Sequence, residues 1–207
     1  MGWNMKRIQS TQRQQQGFTL VEMGVVAAIV AALLIAVFML LPKVKQERLL
    51  ASGRQEVPLV VTALRAAFIN QTSTTGLTTS LAQGFGAFPG RITSGTGMTG
   101  PKGATWVEYV FDNKTLASPM VTKAGGGIVY WMSGVPASLC LPMMQLLAAQ
   151  PGVAMVYAGT GTPSGTLPAS MIAGAAKVNA SGLVLDVASA GKACKATSTQ
   201  VAAIIAI

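Results

Sequence analysis

The order of hydrophobic and polar positions divides the chain into unlike stretches. Residues 18–41 form an apolar run of 24 whose only charged side chain is Glu22. As a helix this run would extend roughly 36 Å, enough to cross a hydrocarbon core of about 30 Å, so it predicts one transmembrane helix. Pro42 and Lys43 end the run, and Lys45 and Arg48 continue a polar flank. Further on, Leu50, Val57, Val61, Leu64 and Phe68 recur at spacings of 7, 4, 3 and 4, with Arg54 and Arg65 off the stripe. That is the pattern of a helix with one apolar face, read here as core. Pro58 predicts a kink, because it removes a backbone donor and crowds the preceding turn. The expected element is one long helix from Phe18 to about Ile69, ended by the polar residues Asn70 to Thr75 and by Gly76.

Residues 76–104 are rich in Gly, Ser and Thr and predict a long loop. Short strands are expected at 106–111, 128–132, 153–158, 182–187 and 201–207, each β-branched or aromatic and bounded by turn residues. Pro136 to Gln150 predicts a short helix, weakened by Pro142. One long helix against a mostly antiparallel sheet is an α+β head. The closing run, residues 201–207, is too short to span a membrane and reads as a buried strand. Gly95-Thr96-Gly97-Met98-Thr99-Gly100 fits a dinucleotide-binding pattern literally. It follows no convincing strand, and Pro101 and Gly103 oppose a helix after it, so no cofactor is expected from it.

Composition narrows the function. Only 10% of residues are charged, against roughly 25% in an ordinary soluble domain. There is no histidine, and the six carboxylates are scattered, none within reach of another along the sequence. Acid–base catalysis and metal binding draw mainly on those side chains, so a structural or binding protein is expected, with no enzyme activity, metal or cofactor. The net charge is +9, but Lys6, Arg7 and Arg13 all precede the apolar run. The basic cluster from Lys43 to Arg65 lacks the interleaved aromatics of a nucleic-acid surface. It reads as a solvated helix face or as contact with lipid headgroups, and no nucleic acid is expected.

A secretory signal peptide would place a small-residue cleavage site after an apolar stretch of about 7–15 residues; this stretch is much longer and is built to stay. Glu22 is then the anomaly, because a charge in the first turns of a membrane helix is rare without a function. Either it snorkels to the surface, or it meets a cation. If the chain were cut after Gly17, a new amino group would appear on Phe18, and positions four apart share a helix face. The new amine of a neighbouring subunit would then neutralise Glu22 in a staggered bundle.

The six residues Gly17-Phe18-Thr19-Leu20-Val21-Glu22, set between a basic leader and the apolar run, resemble the prepilin cleavage motif of the type IV pilin family. The resemblance implies cleavage after Gly17 by a prepilin peptidase, N-methylation of Phe18, and a subunit-docking role for Glu22. It further implies a single-pass inner-membrane precursor with its head in the periplasm. The assembly machinery then polymerises it into an extracellular pilus, a homopolymer. The length of the leader and of the remaining chain is similar to the type IVb branch, which includes toxin-coregulated, bundle-forming and conjugative-plasmid pilins. Phe18 itself is more usual in the other branch, and Met39 stands where many members carry a helix-loosening proline. The expected divisions are a cleaved leader (1–17), an assembly helix (18–41), its amphipathic continuation (42–70) and an extracytoplasmic head (71–207).

Cys140 and Cys194 are the only cysteines, 54 residues apart. An even count in an exported domain implies one disulfide, with two buried thiols as the alternative. The resemblance implies a disulfide-bounded C-terminal region as well. Leu183-Val184-Leu185-Asp186, leading to Lys192-Ala193-Cys194, is loosely similar to the end of toxin-coregulated-type pilins. The rival readings are a pseudopilin of a type II secretion system, which shares the whole N-terminal signature, and a membrane-anchored enzyme or receptor.

Overall fold

The computed structural model describes residues 19–71, 73–114, 126–179, 182–195 and 198–207. The chain parts into two units, Met1–Lys43 and Val44–Ile207. Among the described residues, the first consists of the start of helix α1 (Leu20–Phe68), and every residue of it through Leu41 is exposed. The helix runs through Pro42 and Pro58 without ending at either. Each proline costs one backbone hydrogen bond, which a helix of 49 residues tolerates.

The second unit is an α+β head. Its elements after α1 are α2 (Thr79–Gly84), β1 (Thr93–Ser94), β2 (Gly97–Thr99), β3 (Val107–Asp112), β4 (Gly127–Pro136) and α3 (Ala137–Ala148), then β5 (Val153–Gly159), β6 (Met171–Asn179), β7 (Gly182–Leu185), α4 (Val187–Ala193) and β8 (Ser198–Ala206). Among the described residues the strands form one sheet in the order β1-β2-β3-β4-β8-β5-β6-β7, antiparallel at every pairing. The C-terminal strand thus lies inside the sheet, between β4 and β5.

Side chains alternate between the two faces of the sheet as the pleat requires. Ile128, Tyr130 and Met132 of β4 and Val201, Ala203 and Ile205 of β8 point into the main core. There they join Val57, Val60, Val61 and Leu64 of α1 and Leu139, Met143, Met144 and Leu147 of α3. The buried stripe of α1 therefore differs from the expected one at its edges: Leu50 is half-buried, while Gly53 and Val60 are fully buried. Gly53 marks a close approach of α3. A Cβ there would stand 2.9 Å from Met143 Cε. The other face of β4 and β8 carries Val129, Trp131 and Ala202, packed with Met171, Tyr109, Phe111, Tyr157 and Leu167. Both faces of these central strands are covered.

Three sequence expectations need correction. The stretch 76–104 is not a plain loop but holds α2 and the β1–β2 hairpin. A six-residue helix capped by the Thr78 hydroxyl, which accepts from Leu81 N at 3.3 Å, is too short to show a period. Two glycines of 95–100 serve packing: a Cβ on Gly97 would come within 2.5 Å of Val107 Cγ1 and 2.6 Å of the Tyr109 ring, and one on Gly100 within 2.7 Å of the Trp106 indole nitrogen. Strand β6, of sequence MIAGAAKVN, was not expected because it lacks the β-branched run that signals a strand. The strand expected at 182–187 stops at Leu185, because Asp186 caps α4, its carboxylate accepting from Ala188 N at 3.0 Å.

Cys140 in α3 and Cys194 at the end of α4 are joined by a disulfide with Cα atoms 5.7 Å apart. The bridge closes a loop of 54 residues, worth about 4 kcal/mol in the chain-entropy account. The variant Cys140→Ala/Cys194→Ala, solubilised in detergent, is expected to lose a comparable amount in denaturant unfolding. A loss under about 1 kcal/mol would show that the bridge does not constrain the unfolded chain in this way.

Candidate functional site

Thr19 is the first described residue and begins α1 as a reciprocal cap. Its hydroxyl accepts from Glu22 N at 3.3 Å, while its own N–H and hydroxyl donate to Glu22 Oε2, both at 3.4 Å. A Thr with Glu three residues on is a capping box, and the carboxylate also favours the positive end of the helix. Glu22 thus has a local task at the helix start, and its contacts there are long and exposed to solvent. Gly17 and Phe18 lie outside the described residues.

After the cap comes an apolar surface left exposed among the described residues. Leu20, Ile29, Leu33, Phe38 and Met39 are all more than half exposed. The same helix contains a stretch long and apolar enough to cross a membrane. A water-soluble monomer rarely leaves so large a contiguous apolar surface bare.

At the other end of the chain, the disulfide ties the two helices that flank the inner strands. Cys140 is fully buried. Cys194 Sγ lies 3.7 Å from Met144 Sδ, so the bridge packs into the α3 side of the core. The even cysteine count indicated a bridge, but only the structure shows that α4 delivers Cys194 just before β8 enters the sheet.

The most charged part of the interior was not legible in the sequence. Arg91, from the loop between α2 and β1, has a side chain only 4% exposed and sits between two carboxylates. Its Nη1 lies 2.7 Å from Glu108 Oε2 on β3, and Nη2 lies 2.8 Å from Glu56 Oε2 on α1. The Glu56 contact lacks hydrogen-bond geometry, and Nε has no hydrogen-bond partner among the described residues. Nη1 also donates to Thr99 O at 3.1 Å, and the guanidinium carbon stands 5.7 Å from the centre of the Phe88 ring. Glu108 is fully buried and receives the Trp106 indole N–H at 3.0 Å and the Tyr130 hydroxyl. Burial by itself would lower the Arg91 pKa, but the Glu108 charge and hydrogen bond outweigh it and hold the value above the usual one. Burial first, then the same charge, push the Tyr130 phenol well above its ordinary range. Glu56 and Glu108 lie on elements distant in the sequence, and the fold brings both onto one cation. Among the described residues, no group of three or more His, Cys, Asp and Glu gathers in metal-binding proximity.

Residues 12–38 match the family model described as the prokaryotic N-terminal methylation motif, typical of type IV pilins and pseudopilins. The matched segment contains Gly17 to Glu22 and the apolar helix as far as Phe38. No curated protein matches the chain. The motif supports a prepilin-processed protein of pilin or pseudopilin type, and the long helix with its antiparallel sheet is a pilin-like architecture.

The ion cluster makes two predictions. Arg91→Met leaves Glu108 buried beside no cation and should cost about 3–5 kcal/mol in denaturant unfolding. Glu56→Gln, at a carboxylate 35% exposed, should cost less than about 1 kcal/mol; equal losses would mean the burial of Glu108 is not what matters. Because the folded chain keeps the Tyr130 proton to a higher pH than the unfolded chain does, its contribution to stability is complete below about pH 10 and is lost as pH rises further. Stability measured from pH 8 to 12 should fall at the alkaline end, and Tyr130→Phe should flatten that fall.

Proposed function

We propose that this chain is a prepilin whose mature form is the structural subunit of a type IVb-like pilus. The observation that carries the reading is the methylation motif over residues 12–38, continuous with a helix whose apolar surface is bare through Leu41. In this reading a prepilin peptidase cuts between Gly17 and Phe18, and Phe18 is N-methylated. Before assembly the subunit waits in the inner membrane as a single-pass protein with its head in the periplasm. The pilus machinery then transfers it to a growing extracellular filament.

The physical driving force is burial of the apolar helix surface among neighbouring copies. That surface is in lipid beforehand, so transfer gains little from the hydrophobic effect alone, and close helix packing and polar pairing must select the register. Glu22 supplies the polar pairing. Its bonds to Thr19, at 3.3–3.4 Å and exposed, are weak enough to be exchanged for the charged amine of a neighbour's Phe18. A pseudopilin shares this N-terminal machinery. The pilus reading is preferred for the disulfide-bounded region from Cys140 to Cys194.

Mass spectrometry of sheared surface material from the native host should find a peptide beginning at N-methylated Phe18 in an abundant band. The same peptide confined to membranes would favour the pseudopilin, and an intact Met1 start alongside active prepilin peptidase would remove the reading. Glu22→Ala should leave membrane insertion intact and abolish filaments, as seen by electron microscopy; normal filament yield would rule out the docking role.

A further inference from the structure

Three cations follow the apolar run on the same unbroken helix: Lys43, Lys45 and Arg48. All are exposed, and none takes part in an ion pair or side-chain hydrogen bond among the described residues. Three other cations are engaged: Arg91 is paired with Glu56 and Glu108, Lys114 lies 3.9 Å from Asp112, and Arg65 donates to Pro151 O at 3.2 Å. What sets Lys43, Lys45 and Arg48 apart from exposed cations elsewhere, such as Arg54 and Lys102, is their place directly after the apolar run. Glu47 is the one carboxylate among residues 43–54, so Lys43 to Arg48 carry a net +2.

Depth and direction both matter. At about 1.5 Å per residue, Lys43, Lys45 and Arg48 lie roughly 3, 6 and 10 Å beyond Leu41. The polar layer on each side of a bilayer is about 5–8 Å thick, and helical side chains lean toward the helix N-terminus, here back toward the apolar run. At about 100° per residue, Lys45 and Arg48 stand roughly 60° apart and Lys43 falls on the opposite side of the helix. A partner helix would be met by one stripe of charge; charges on both sides suit a partner that surrounds the helix. There is no aromatic residue between Phe38 and Phe68 on which a nucleic-acid base could stack.

Resting on the membrane-inserted reading above, we propose that Lys43, Lys45 and Arg48 form a collar that binds anionic lipid headgroups where the apolar run ends. The collar sets the depth of the unassembled subunit and opposes its withdrawal from the membrane. Each basic side chain near an anionic surface contributes a roughly fivefold preference, and the whole effect is screened by salt.

The test uses the full chain reconstituted in phosphatidylcholine vesicles containing trace spin-labelled phosphatidylglycerol or spin-labelled phosphatidylcholine. Electron paramagnetic resonance then reads the fraction of each probe immobilised at the protein. The wild-type chain at low salt should hold the anionic probe at least about fivefold more strongly than the zwitterionic one. Lys43→Gln/Lys45→Gln/Arg48→Gln, and separately about 0.5 M salt, should remove the preference. Equal immobilisation of both probes by the wild type overturns the collar alone. A preference that survives the triple substitution also overturns it, by assigning the lipid to other residues. A chain washed off the vesicles by alkaline carbonate removes the membrane reading and the collar with it.

Discussion

Strand β8 follows every other described strand in the sequence and yet lies in the middle of the sheet. It bonds to β4 on one side and β5 on the other, so the β1–β4 and β5–β7 portions become one sheet only when it is in place. From Thr199 to Ile205 its described residues are buried, apart from Gln200, which is half-buried and accepts from the Trp131 indole at 2.8 Å. Pairing β8 with β4 and β5 is entropically slow, because the partners are remote in sequence. The disulfide eases that problem. Cys140 lies in the helix that follows β4 directly, and Cys194 stands four residues before β8, so joining them brings the two strands to the same end of the sheet.

The Arg91 cluster performs a similar task for the helix. Glu56 lies on α1, Glu108 on β3 and Tyr130 on β4, and one guanidinium from a loop joins the first two while Glu108 reaches the third. Apolar contacts among Val57, Val61 and Leu64 tolerate small slides along the sheet; a buried charge pair does not, since a displacement of an ångström or two strands Glu108 without its cation. Such a pair adds less to net stability than its distances suggest, because desolvation opposes it. Its value lies in fixing one position of α1 on the head. Under the pilus-subunit reading proposed above, a defined helix position in the head is what would make successive heads equivalent.

One helix thus carries two unlike surfaces. From Leu20 to Leu41 its surface is apolar apart from Glu22 and exposed throughout, whereas from Gly53 it buries a narrow stripe and leaves Arg54 and Leu59 outside. The change falls between Leu41 and Gly53, where Lys43, Lys45 and Arg48 also lie. Neither proline breaks the helix, because each removes one bond from a ladder held on both sides by many others.

Much of this was determined locally and could be read from residue order. The length of the apolar run, its single carboxylate, the cleavage-like hexapeptide, the helical stripe and the strands with β-branched runs all rest on periodicities of a few residues. The cap that Thr19 forms with Glu22 is of the same kind and was available in the spacing, though it went unread. What tertiary structure alone decided depends on contacts across long separations: the place of β8 inside the sheet, the pairing of the Ala- and Gly-rich β6, and the convergence of Glu56, Arg91 and Glu108. Local propensity is nearly silent for each, because a strand without β-branched residues is stabilised by its neighbours' backbone groups and a buried ion pair by the exclusion of water, and neither exists until the chain has closed.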